Sequence, residues 1–179
     1  MTAYQLLITK GKLNCGETIL ILGASGGVGT LAVQIAKHYG ARVITVSGPS
    51  NLEYLKNLGA DDCLDYTGME WVAKATDYAP DVIYDCAGGE TMEKGIVSLK
   101  KNGRVISLTA HKFHDETINF SGVFVEPHSK HLDLLTKMIE QGKLMPHVSQ
   151  YFGLDRAIEA LKLNREGRTR GKLIITMNG

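Results

Sequence analysis

The sequence predicts an α/β domain: a doubly wound parallel sheet of about six strands, with a helix–strand tail at its C-terminus. Three observations predict it. Short apolar runs alternate with helical patterns along the chain, a glycine-rich turn follows the first run without a break, and the apolar residues after that turn recur at helical spacing. Alternation of this kind favours parallel strands joined by right-handed crossovers, which puts helices on both faces of one sheet.

Thr18–Leu22 reads as the first buried strand. After it, Val28, Leu31, Ala32, Ile35, Ala36 and Tyr39 share one helical face, and Gly40 is a natural stop. Arg42–Val46 is the second strand, followed by a short helix over Asn51–Leu58 with Asn51 as N-cap and Gly59 as its end. Asp62–Tyr66, Asp81–Cys86 and Arg104–Leu108 continue the sheet, with helices expected over Met69–Thr76 and Thr91–Leu99. Ile118–Val125 reads as a sixth strand, at an edge. Leu132, Leu135 and Ile139 align on a helix that stops at Gly142. Asp155 would cap a helix running to Leu163, and Lys172–Met177 closes the chain as a strand outside the main sheet. The expected division is a dinucleotide-binding domain over 1–145 and a tail over 146–179.

The turn Gly23-Ala24-Ser25-Gly26-Gly27-Val28-Gly29 carries the chemistry. A tight strand-to-helix turn points backbone N–H groups outward, and the helix adds the positive end of its dipole; together they hold a pyrophosphate. Gly26 lets a diphosphate approach the backbone, and Gly29 lets the helix pack close to the strand. Ala24 replaces the usual first glycine, which is tolerable if its backbone keeps an ordinary conformation. The flanking strand and amphipathic helix are the context that makes this Rossmann fingerprint meaningful. The alternative is a glycine-rich turn without a ligand.

An acid ending the second strand would bind the ribose hydroxyls of NAD. Here the chain reads Ser47-Gly48-Pro49-Ser50-Asn51. Small hydroxyl residues leave room for the 2′-phosphate of NADP, although they also serve as ordinary turn and cap residues. The missing acid argues equally against an S-adenosylmethionine methyltransferase. NADPH is therefore the expected cofactor, with NADH possible.

The chain has 179 residues, is 44% hydrophobic and 22% charged, and carries a formal charge of +1. That balance gives no electrostatic reason to expect nucleic acid or an anionic membrane as partner. Cys15, Cys63 and Cys86 are scattered and form neither a disulfide framework nor a metal-ligand pair. No apolar run is long enough to cross a bilayer, and Met1-Thr2-Ala3-Tyr4-Gln5 lacks the features of a signal peptide, so the expected compartment is cytoplasmic. His111 with His114, and His128 with His131, are pairs spaced by three, but no acid or cysteine stands at ligand spacing, so no metal is expected. No Tyr-x-x-x-Lys pair follows the fifth strand, so a short-chain dehydrogenase mechanism has no candidate base, and no Gly-x-Ser-x-Gly elbow is present.

The order and spacing of several stretches then become specific: Gly16-Glu17-Thr18 before the turn, Leu58-Gly59-Ala60-Asp61, Asp65-Tyr66, Asp85-x-x-Gly88-Gly89, Leu99-Lys100-x-x-Gly103-Arg104, Gly142-Lys143-Leu144-x-Pro146 and Gly167-Arg168-Thr169-Arg170-Gly171-Lys172. Together they resemble the cofactor-binding half of a medium-chain dehydrogenase/reductase, on the zinc-independent quinone oxidoreductase side. The resemblance implies phosphate contacts at Ser25, Gly26, Gly27, Val28 and Gly29. It implies adenosine-side contacts at Ser47, Ser50, Asn51 and Tyr66, and a nicotinamide end near Gly88, Leu108 and Thr109. Related enzymes often carry Lys or Arg at the positions of Ser50 or Asn51, and those basic residues are absent here. The basic run Gly167–Lys172 approaches the cofactor cleft in relatives. The implied activity is reduction of a quinone, enone or similar conjugated carbonyl by hydride transfer, with no obligatory acid side chain. Relatives begin with a GroES-like substrate domain that is not in this sequence. The alternative is therefore a catalytically silent nucleotide-binding module, whether as an excised domain, a truncated product or a separate subunit. Relatives also pair through the sixth strand, which implies a homodimer through Ile118–Val125.

Overall fold

The computed structural model describes residues 1–167 and 169–177. A short helix α1 (Thr2–Tyr4) continues as a π-helical turn over Gln5–Lys10. Six parallel strands follow, β1 (Thr18–Leu22), β2 (Arg42–Ser47), β3 (Asp62–Asp65), β4 (Val82–Asp85), β5 (Arg104–Ser107) and β6 (Asn119–Gly122). Between them run α2 (Gly29–His38), α3 (Leu52–Asn57), α4 (Trp71–Asp77) and α5 (Gly89–Ile96), and α6 (Ser129–Glu140) follows β6. The strand order β3-β2-β1-β4-β5-β6 is the Rossmann order, as expected. Chain direction across the sheet reverses between β1 and β4, and ligands of open α/β sheets bind outside the strand ends at such a point.

The strands are apolar without alternation because both faces are covered. Ile19, Ile21, Val43, Val82, Tyr84 and Ile106 pack with Leu6, Leu7, Val33, Ile35 and Met138 on one side. Leu20, Leu22, Ile44, Val46, Ile83 and Val105 pack with Trp71, Met92 and Ile96 on the other. The ends are aligned by register: Leu22 stands beside Val46 and Asp85, Ser47 beside Asp65, and Asp85 beside Ser107.

Arg104, at the start of β5, ties the opposite end of the sheet. Its guanidinium donates to both carboxylate oxygens of Glu17 at 2.8 and 2.7 Å and to the carbonyls of Gly11 and Lys12. The Arg104 hydrogen bond holds the Glu17 carboxyl below its ordinary range, despite some burial pushing the other way. A depressed folded pKa contributes stability that is present above the unfolded value of about 4.3 and is lost as pH falls through the folded one. Wild-type stability in urea should therefore drop on acidification below about pH 4.3 more steeply than that of Glu17→Gln. Parallel acid limbs for the two proteins would show that the pair contributes nothing.

Several elements differ from their sequence expectation. The sixth strand covers only Asn119–Gly122 instead of Ile118–Val125. A turn closed by Ile118 N–H to the Asp115 carbonyl precedes it, and the His111 backbone lies so close to Gly122 that a Cβ there would meet Ala110 O at 2.5 Å. The strand is pinched at both ends. On α6 the buried residues are Leu135 and Met138, while Leu132 and Ile139 face solvent, because the helix packs through a narrow stripe. The α5 helix starts at Gly89, before Thr91, and ends at Ile96; α4 starts at Trp71, leaving Met69 exposed. Asn51 precedes α3 as expected but makes no capping hydrogen bond; its side chain is held from elsewhere. Asp155 lies inside a 3₁₀ turn (Leu154–Arg156) and caps nothing, since the turn runs straight into α7 (Ala157–Arg165).

The tail holds a strand that the sequence pattern did not reveal, β7 (Val148–Gly153), mostly exposed along its length. It pairs in parallel with β8 (Lys172–Thr176) across α7, making a separate two-stranded sheet. The approach to it is fixed by Gln34 of α2, whose side chain exchanges two hydrogen bonds with the Met145 backbone.

Candidate functional site

The β1–α2 turn sits under the switch point. Gly23 has φ +71°, a conformation glycine takes without strain, and a Cβ there would come within 3.2 Å of the Ala87 nitrogen. Ala24 is buried and keeps a negative φ, so the residue replacing the first glycine causes no strain. A Cβ on Gly29 would lie 2.6 Å from the Ala24 Cα, which is the close strand–helix approach expected of that glycine. Gly26 differs: its Cβ would meet only the Gly23 carbonyl, at 3.5 Å. The Thr30 N–H opens the helix by bonding to the Gly26 carbonyl. The N–H groups of Val28 and Gly29 have no acceptor among the described residues. Free backbone donors at the N-terminus of a ten-residue helix, with its positive dipole end, are the chemistry that can hold an anion.

Two cavities meet at this turn, sharing Gly23, Gly26 and Cys86. One, of about 450 Å³, is lined by Gly27, Val28, Gly29, Leu108, Leu161 and Lys172 among others. The other, of about 690 Å³, runs past Ser25, Ser47, Ser50, Asn51, Tyr66 and Thr169. Ser47 is nearly closed off from solvent, with its hydroxyl on the Gly48 carbonyl, whereas Tyr66 is half exposed beyond β3 with its ring over Gly48. Burial pushes the Cys86 thiol well up, with the Asp85 charge adding to it, so Cys86 stays a neutral wall between the two limbs.

Gly88 and Thr109 line neither cavity; they are joined instead through Asp85. This carboxylate has no solvent exposure and is satisfied from all sides. One oxygen accepts the N–H groups of Ala87 and Gly88 at 2.9 and 2.8 Å, and the other accepts the hydroxyls of Ser107 and Thr109, each at 2.6 Å. A Cβ on Gly88, which has φ +70°, would fall 2.8 Å from the Thr109 hydroxyl. The loops after β4 and β5 are thus one hydrogen-bonded unit. Its signal in the sequence is an acid closing an apolar strand one register from a serine.

The tail supplies what the strand ends lack. Gly171 donates to the Ser25 carbonyl at 2.9 Å and forms a parallel bridge with Gly26. The next side chain, Lys172, lies over the turn: a Cβ on Gly27 would come within 2.8 Å of its Nζ. Arg170 reaches the β2–α3 loop, with Nε on the Asn51 side-chain oxygen and Nη2 on the Ser50 carbonyl, both at 2.9 Å. The basic run was visible in the sequence; which loops it touches was not. Arg168, within that run, lies outside the described residues.

The histidines are used otherwise. His111 stacks on Phe124 at 4.5 Å, His128 on His131 at 3.9 Å, and His131 contacts Gln5. Among the described residues no group of three His, Cys, Asp or Glu side chains stands together as a metal site.

Residues 58–175 match the family described as zinc-binding dehydrogenase. The chain belongs to the medium-chain dehydrogenase/reductase superfamily. This dehydrogenase domain is 34% identical to the 2-methylene-furan-3-one reductase of Solanum lycopersicum, covering 97% of the chain and 44% of that protein. It is 28% identical to a mitochondrial NAD(P)H oxidoreductase of Drosophila melanogaster, covering 99% and 52%. Among solved structures, the quinone oxidoreductase of Coxiella burnetii superposes with a TM-score of 0.91 at 30% identity, covering 99% of this chain and 57% of that one. The chain spans about half the length of the curated relatives it matches. It is the cofactor-binding domain of this dehydrogenase superfamily, and its cleft lies at the switch point of the sheet.

Proposed function

We propose that this chain binds NADPH across the two cavities as the cofactor-binding part of an oxidoreductase acting on quinones, enones or similar conjugated carbonyls. The observation that carries the reading is the β1–α2 turn, open at Gly26 and with donors free at Val28 and Gly29. Those donors and the helix dipole would hold the diphosphate. The limb lined by Ser47, Ser50, Asn51 and Tyr66 would take the adenosine end, and the limb beside Leu108 the nicotinamide end. Bound there, the dinucleotide supplies a hydride to the carbonyl substrate. The chain's own part is to orient: Asp85 fixes the loops carrying Gly88 and Thr109, and Lys172 places a positive charge over the phosphate turn. No side chain is assigned as acid or base, and water can deliver the proton.

No acid ends β2, so NADPH should bind at least as tightly as NADH when both are titrated by nicotinamide fluorescence. A clear preference for NADH would overturn the adenosine-side assignment. Absence of binding by either would overturn the nucleotide reading itself.

A homodimer through β6 belongs to the same reading. Among the described residues this strand pairs only with β5, which leaves its outer edge open, and Phe124 beside it is exposed. Light scattering should report the mass of two chains. A monomer across a wide concentration range would refute it. The half-length match favours a second reading for the isolated polypeptide, binding without turnover.

A further inference from the structure

Between β6 and α6 the chain runs from Val123 to His128 without secondary structure. Apart from its junction with α6, this loop is hydrogen-bonded to the rest of the domain at two places among the described residues. The Val123 N–H reaches the Ser107 carbonyl, and the Glu126 backbone is gripped by Gln5, the first residue of the π-helical turn. Gln5 is 4% exposed, a buried carboxamide beside the apolar Leu6 and Leu7.

The grip is directional. Gln5 Oε1 accepts the Glu126 N–H at 3.0 Å, and Gln5 Nε2 donates to the Glu126 carbonyl at 2.7 Å. Turning the amide over would set donor against donor and acceptor against acceptor, so the backbone fixes which end is nitrogen. The second N–H of that nitrogen then meets His131 Nδ1 at 3.2 Å. An amide nitrogen only donates, so Nδ1 must be the bare, accepting nitrogen and His131 the neutral Nε2–H tautomer. A proton on Nδ1 would face the Gln5 N–H, and Gln5 could answer it only by giving up Glu126. The surroundings disfavour that proton too. The His128 ring stacks on His131 at 3.9 Å, the Met1 amino group adds positive charge from α1, and the start of α6 adds its dipole. Tyr4, with Tyr39 of α2 behind it, lies 5.1 Å from the His131 ring. The Glu126 carboxylate turns to Lys10 at 3.8 Å, and Lys130 and Asp133 of α6 are exposed. Burial, then His128, then the Met1 amino group hold His131 below its ordinary value.

We propose that Gln5 and His131 form a pH-sensitive latch: neutral His131 keeps Gln5 locked on Glu126, and a proton on Nδ1 releases the β6–α6 loop. A histidine held neutral in the closed loop contributes stability that is full above its free value of about 6.5. That stability is lost as pH falls toward the lower folded value. About one unit below the free value, opening is favoured about tenfold more than at neutral pH. The loop leaves β6 next to Ser107, the residue that holds Asp85, so its release acts at the cleft end of the sheet. The Glu17–Arg104 pair lies at the other end and titrates in a lower range. The latch is independent of which ligand the cleft takes.

Nitrogen NMR of the histidine rings and amide exchange of the 179-residue chain test the latch. In the wild type at about pH 7.5, His131 should be the Nε2–H tautomer and the Glu126 amide should be protected. Corrected for intrinsic exchange, that protection should fall about tenfold by about pH 5.5, following the His131 titration. His131→Asn keeps an acceptor oxygen near the Nδ1 position and cannot be protonated, so its Glu126 protection should stay level over the same range. Both wild-type readouts stand without any variant. An Nδ1–H tautomer at the higher pH, or wild-type protection that stays level while His131 titrates, would overturn the latch. An equal loss of protection in His131→Asn would overturn it as well, by assigning the pH response to another group.

Discussion

Gly26→Val is expected to abolish NADPH binding while leaving the fold intact. At this position the protein itself leaves room, since a Cβ would meet only the Gly23 carbonyl at 3.5 Å. The valine methyls would instead occupy the space through which a phosphate must approach the N–H groups of Val28 and Gly29. Hydrogen bonds to a charged group contribute about 1.5–3 kcal/mol each, so losing two of them weakens binding by at least about a hundredfold. Titration by nicotinamide fluorescence, with thermal melting alongside, reads both halves of the expectation. Unchanged affinity in a folded variant would remove the turn from the site. Gly29→Ala is the contrasting substitution. Its Cβ would sit 2.6 Å from the Ala24 Cα, a backbone atom that cannot swing away, so the damage there is to stability, typically about 1–3 kcal/mol for an overpacked core.

The isolated chain should bind NADPH yet reduce quinones very slowly. The diphosphate turn and the adenosine limb lie within these residues, and the limb beside Leu108 is walled by the turn and by the tail at Leu161 and Lys172. Around the tail, Tyr151, Leu154, Ile158, Leu161 and Met177 expose large apolar side chains, and the relatives are about twice as long as this chain. In the isolated 179 residues a nicotinamide held on the phosphate side alone would be poorly oriented, and orientation accounts for up to about 7–11 kcal/mol of a barrier. Turnover should therefore fall orders of magnitude below the enzymatic norm of about 10 per second. Steady-state NADPH oxidation with a simple quinone, corrected for the uncatalysed reaction, is the measurement. Ordinary turnover would show that the chain builds a complete site, either alone or with a second copy.

The site was legible in the sequence where local chemistry suffices. The turn from Gly23 to Gly29 could be read because each glycine answers a constraint from its near neighbours: a positive φ at Gly23, a close helix at Gly29, an open face at Gly26. The absence of an acid after β2 is likewise a local fact. Gly88 and Thr109 were named from their strand ends, but their link through Asp85 depends on β4 and β5 lying side by side. The strand β7 was missed because a short exposed pair has no buried face to impose periodicity on it. Asn51 was read as a cap because its position before α3 is the capping position, whereas a distant arginine had claimed its side chain.

By itself the sequence determined the class of fold, the strand that opens it and the glycine-rich turn, because alternating apolar runs and glycine positions act over a few residues. Only the tertiary structure decided how the tail enters the site. Gly171 meets Ser25, Lys172 crosses Gly27 and Arg170 grips Ser50 and Asn51, although well over a hundred residues separate each pair. Contacts of that range leave no periodicity in the chain; they exist because the sheet brings its strand ends to one edge and the β7–α7–β8 unit folds back across it.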